Sequence, residues 1–112
     1  MEIRELDINA NQCNKISKEN FNRIINTALD ILEERILRSA ELGKYCLEFW
    51  YGTEYSVINV LKLSFLTDEQ QIDILKTLEK ELNRKGFTVN KKNDNERLWI
   101  DICWDIPLNP FK

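Results

Sequence analysis

The side chains that could do chemistry here are carboxylates, thiols and a local group of bases. There is no histidine among the 112 residues. Its absence removes Ser-His-Asp and Cys-His nucleophilic mechanisms, imidazole acid–base work and every zinc site that needs an imidazole ligand. Glu33-Glu34 and the Glu79/Glu81 pair fall on solvent-facing positions of helical stretches and read as charged faces. Asp101 and Asp105 flank Trp104 and could lie beside Glu48. Paired carboxylates of that kind serve a general acid and base, or a divalent cation, only inside a pocket, which the sequence does not outline. Gly43, Gly52 and Gly86 stand alone, so no glycine-rich phosphate loop is present. Cys13, Cys46 and Cys103 form no C-x-x-C pair, and three reduced, mostly structural thiols are expected. The expectation is a protein without enzymatic activity, with no catalytic residue, no cofactor and no metal.

Two binding chemistries remain. Arg84, Lys85, Lys91, Lys92 and Arg97 gather around one stretch, and Trp50, Trp99 and Tyr55 are available to stack on bases, as in single-stranded nucleic-acid recognition. Glu48 and Asp101 on the same surface would repel phosphates, and the net charge is −3. Nucleic acid is therefore the lesser alternative. Trp50 and Trp99 beside Glu48, Arg97 and Asp101 have the make-up of a protein-binding hot spot, with aromatic anchors inside a charged rim.

The elements that must position these groups follow from periodicity. Residues 1–16 read as an N-terminal arm, residues 17–106 as a single domain and residues 107–112 as a tail after the Pro107 break. Ser17 is the expected N-cap of a first helix, with Ile16 and Phe21 as its staple. Phe21, Ile24, Ile25, Ala28, Leu29, Leu32 and Ile36 form the apolar stripe, and Gly43 is the stop. Ile31 and Leu37 lie off that stripe and suit either a homodimer seam or burial under the arm.

The period then changes to two. Residues 45–51 alternate, with Tyr45, Leu47, Phe49 and Tyr51 on one side and Cys46, Glu48 and Trp50 on the other. Residues 55–65 read as the returning strand of a hairpin, with a β-bulge near Asn59–Val60 to reconcile its two parities. Thr67-Asp68-Glu69-Gln70 is a capping box that opens a second helix with the stripe Ile72, Leu75, Leu78 and Leu82, stopped at Gly86. A last hairpin follows, in which Leu98, Ile100, Ile102 and Trp104 face the helices while Arg97, Trp99, Asp101 and Cys103 face away. The predicted fold is α+β, in the order α-β-β-α-β-β, with two helices on one face of a four-stranded antiparallel sheet.

The charged opening residues carry no secretory signal, and no apolar run is long enough to span a membrane, so a cytoplasmic protein is expected. The 12 Asn and 13 Ile have A/T-rich codons and point to a low-GC genome. Leu82-Asn83-Arg84-Lys85-Gly86-Phe87-Thr88-Val89 and Leu98-Trp99-Ile100-Asp101-Ile102-Cys103-Trp104 make a glycine-closed helix followed by an Ile/Trp-rich last strand. In this the chain resembles small phage and prophage accessory proteins of low-GC Gram-positive bacteria. That resemblance implies a binder of a bacterial host or defence protein, acting as an inhibitor or modulator. Other proteins of that class are virion parts or bind DNA; the alternatives for this chain are a small nucleic-acid-binding regulator using the basic hairpin around residues 84–97, and a structural assembly protein.

Overall fold

The computed structural model describes residues 2–92 and 95–104, with 95–97 as backbone only. The chain runs α1 (Ala10–Glu41), β1 (Cys46–Glu48), α2 (Val57–Val60), α3 (Asp68–Arg84), β2 (Thr88–Lys92) and β3 (Asn95–Cys103). It is an α+β fold with a three-stranded antiparallel sheet in the order β1-β3-β2. The expected Pro107–Lys112 tail lies outside the described residues.

Helix α1 begins seven residues before the expected cap at Ser17. Asn9 is the N-cap: its side chain accepts from the Gln12 N–H, and the Gln12 side chain accepts from the Asn9 N–H, both at 2.9 Å. This reciprocal pair satisfies two first-turn amides that the helix cannot bond itself. At 32 residues the helix is about 48 Å long. Its buried residues, Ile25, Ala28 and Leu32, lie from the middle of the helix onward, and the molecule is 82 Å along its longest axis. Helix α3 opens as expected, on a capping box between Thr67 and Gln70 with Asp68 and Glu69 in the first turn. It buries Ile74, Leu75, Leu78 and Leu82, while Ile72 is half-buried.

The expected strand over residues 55–65, and with it the fourth strand and the bulge near Asn59–Val60, is absent among the described residues. Residues 57–60 are instead the short helix α2. Ser56 caps it by accepting from the Asn59 N–H. The mixed parity that suggested a bulge is the four-residue step of a helical turn: Val57 and Leu61 are both buried. Lys62 then takes a left-handed conformation, φ 59°. Its N–H bonds the Asn59 carbonyl and the Leu63 N–H bonds the Ile58 carbonyl, a Schellman closure that returns Leu63 to the core. The Gln71 amide donates to the Leu63 and Leu66 carbonyls and fixes this segment on α3.

The β2–β3 register shifts twice, between Asn90 and Lys91 and again between Lys91 and Lys92, and the first shift breaks the expected alternation of β3. Asn90 pairs with Asp101 but the next residue, Lys91, pairs with Trp99, so Ile100 is an extra residue in the ladder. The bulge reverses parity. Ile102 and Trp99 enter the core, and Ile100 is 37% exposed. Trp99 is therefore not on the open face; it is one of the largest side chains of the core.

The thiol expectation is also corrected. Cys46 and Cys103 form a disulfide, and Cys13 is free and exposed. The two cysteines are cross-strand partners. Phe49 N–H bonds the Ile100 carbonyl and Trp104 N–H bonds the Tyr45 carbonyl, which by alternation makes Cys46–Cys103 a non-hydrogen-bonded pair, the closer kind. Their Cα atoms are 4.1 Å apart. A link across 57 residues removes unfolded-chain entropy equivalent to about 4 kcal/mol on the loop-closure account.

Candidate functional site

Residues 49–56, between β1 and α2, build the most distinctive surface. Phe49 is buried and anchors the segment, with its N–H on the Ile100 carbonyl at 2.8 Å. From there the chain turns outward. Trp50 N–H donates to the Tyr55 carbonyl (2.9 Å), closing the loop across its base. The Thr53 hydroxyl donates to the Trp50 carbonyl (2.6 Å) and accepts from the Tyr55 N–H (3.0 Å). The Asn59 side-chain amide donates to the Thr53 carbonyl (2.9 Å), which also receives the Ser56 N–H. Gly52 adopts φ 77°, a conformation that suits a residue without a Cβ.

This loop holds three large aromatics in water. Trp50 is 61% exposed, Tyr51 53% and Tyr55 56%. Lys92 lies with its Nζ 3.7 Å from the Tyr51 ring centroid, joining the loop to the β2–β3 hairpin. Tyr51 was expected on the inner face with Tyr45 and Phe49. Phe49 is buried, Tyr45 precedes the strand and is exposed, and Tyr51 lies beyond its end at Glu48, where the alternation has stopped.

The sequence-derived site is thus divided. Trp50 and Glu48 are exposed, and Asp101 is half-buried directly across from Glu48 on the outer sheet face. Asn90, its neighbour in β2, donates a side-chain hydrogen bond to Asp101. Trp99 lies in the core, on the opposite side of the sheet from that pair. The Arg97 side chain lies outside the described groups. The exposed aromatics that stand in place of the Trp50/Trp99 pair are Trp50, Tyr51 and Tyr55 of one loop. Its signal in the sequence is the density of aromatics around Gly52-Thr53.

The basic cluster does not present an open row of charges. Arg84 donates to both Glu81 carboxylate oxygens, at 2.8 and 2.9 Å. That bidentate bond holds the Glu81 carboxyl below the usual carboxylate range and raises the Arg84 guanidinium above its own. Lys91 reaches Glu79 at 2.9 Å, and Lys92 sits on Tyr51. Lys85 is exposed. Among the described residues no group of three or more Cys, Asp and Glu is placed to hold a metal ion. One groove of about 620 Å³ is lined by Ile16, Phe21, Ile24, Leu66 and Ile74 with Lys18, Asn20 and Gln70 among its other lining residues, and the lining of a smaller one includes Glu34, Arg35, Arg38 and Lys62. No described helix is long and apolar enough to cross a membrane.

No protein-family model, curated protein or solved structure matches the chain. The resemblance to phage accessory proteins gains no support from these comparisons.

Proposed function

We propose that the protein is a non-enzymatic binding module that acts by stoichiometric capture of another protein, a bacterial host or defence protein that it inhibits or modulates. The observation that carries this reading is the loop of residues 49–56, which keeps Trp50, Tyr51 and Tyr55 exposed while fixing its own backbone through Thr53 and Asn59. Large aromatics with polar tips supply most of the energy at protein interfaces. A loop already held in one conformation loses little entropy on binding. Glu48 and Asp101 on the adjoining sheet face supply polar contacts at the rim. The nucleic-acid alternative draws little from the basic stretch, where Arg84 and Lys91 are engaged by Glu81 and Glu79.

The test is affinity capture from lysates of low-GC Gram-positive cells with the wild-type protein and with Trp50→Ala/Tyr55→Ala. The wild type should retain a partner in a stoichiometric band, and the variant should lose it with its far-UV circular dichroism unchanged. Equal retention by the folded variant overturns the reading.

A further inference from the structure

We propose that the Cys46–Cys103 disulfide is a redox lock on the seat of the aromatic loop, so that the oxidised protein holds the loop on β3 and the reduced protein does not. This inference rests on the binding reading above and adds its regulation.

The placement of the bond carries the argument. Cys103 is in β3, the central strand, and Cys46 is in β1, an edge strand of only three residues. So short an edge strand has few ladder bonds of its own, and the disulfide is its covalent tie to the sheet. The chain passes from Glu48, the last residue of that strand, directly into the loop. The bond that seats the base of the loop on β3, Phe49 N–H to the Ile100 carbonyl, therefore depends on where β1 lies. Helix α3 and the β2–β3 pairing do not run through β1. Opening the bond releases one edge of the molecule and leaves the rest packed.

The bond also lies on the outer face of the sheet and not in the core. Cys46, Glu48, Thr88, Asn90, Asp101 and Cys103 share the outer face of the sheet, opposite Leu47, Val89 and Ile102. Glu48, Thr88 and Asn90 are exposed, and both sulfur-bearing residues are half-buried. Disulfides accessible in this way are the ones that exchange. The reductant is a dithiol. One of its thiolates attacks a sulfur of the bond and forms a mixed disulfide; its second thiolate then displaces the protein sulfur. Two electrons and two protons pass to Cys46 and Cys103, which become thiols, and the dithiol becomes a cyclic disulfide.

The experiment is amide hydrogen exchange on the full chain, as purified in air and after reduction with dithiothreitol, with Cys46→Ser/Cys103→Ser as a second route to the open state. Thiol titration comes first: one reactive thiol, Cys13, is expected before reduction and three after. Exchange at Phe49 and Trp104, whose N–H groups bond across the β1–β3 seam, should rise at least tenfold on reduction and in the double variant, while Leu75, Leu78 and Leu82 keep their protection. Three reactive thiols before reduction, unchanged exchange at the seam, or loss of protection throughout α3 each overturn the lock. Because exchange reads the seating of the loop with no partner present, the two readings fail separately. An unchanged seam alongside capture lost in Trp50→Ala/Tyr55→Ala leaves binding without a lock, and a released loop alongside retained capture removes the binding reading instead.

Discussion

Lys92, in the β2–β3 hairpin, sets its ammonium 3.7 Å from the centroid of the Tyr51 ring, in the aromatic loop more than forty residues earlier in the chain. The contact joins the two ends of the outer surface. A cation over an exposed ring contributes about 0.5–1 kcal/mol.

Tyr51→Leu should therefore lower the unfolding free energy by about that amount, whereas Tyr51→Phe, which keeps a ring face, should be close to neutral. Urea titration of the two variants beside the wild type separates the outcomes. Equal losses in both would assign the contribution to the hydroxyl and not to the ring.

Trp99 and Trp50 should respond in opposite ways. Trp99 is 2% exposed among Leu and Ile side chains, and truncating it leaves a large cavity. Trp99→Ala should cost about 3–5 kcal/mol. For a domain of this size that removes much or all of the stability. Trp50, 61% exposed, should cost less than about 0.5 kcal/mol when replaced by alanine. Denaturation midpoints measure both. A stable Trp99→Ala protein would place that side chain back on the open face.

What could be read in advance depended on whether an element's cause is local. The Thr67–Gln70 capping box and the Gly86 stop involve residues close in sequence, and α3 follows from them. The same logic applied at Asn9–Gln12 would have moved the start of α1, since that pair is a capping box too. Ser56 and Asn59 were an equally local signal, hidden because residues 57–63 are apolar enough to pass for a strand. The Ile100 bulge and the Cys46–Cys103 pair are different. Both are properties of strand register, which is decided by packing between distant segments, and one extra residue in β3 was enough to move Trp99 from the proposed site to the core.

Lys62 holds a conformation that L-residues avoid, φ 59°, at the exposed close of α2. Glycine enters that region without a Cβ clash, as Gly43 and Gly86 do at the ends of α1 and α3. Lys62→Gly should therefore raise stability by about 0.5–1 kcal/mol, and Lys62→Val should lower it by more than that. Thermal unfolding reads the sign. A destabilised glycine variant would show that the lysine side chain makes a contact that outweighs its backbone cost.

The Glu81–Arg84 pair gives the last prediction, and its sign follows from the direction of the shift. The bidentate guanidinium lowers the Glu81 pKa below its reference of 4.5. A carboxyl with a depressed folded-state pKa contributes stability above its unfolded pKa and loses it as pH falls through the folded one. Arg84 is exposed and Glu81 half-exposed at the surface, so the contribution is small and screened by salt. Urea midpoints of the wild type and Glu81→Gln should differ at pH 7, with the wild type higher. The gap should narrow once the pH drops below about 4.5 and shrink further in 1 M salt. A gap that persists unchanged through the acid range would assign the role of Glu81 to packing against α1, with Arg84 only its neighbour.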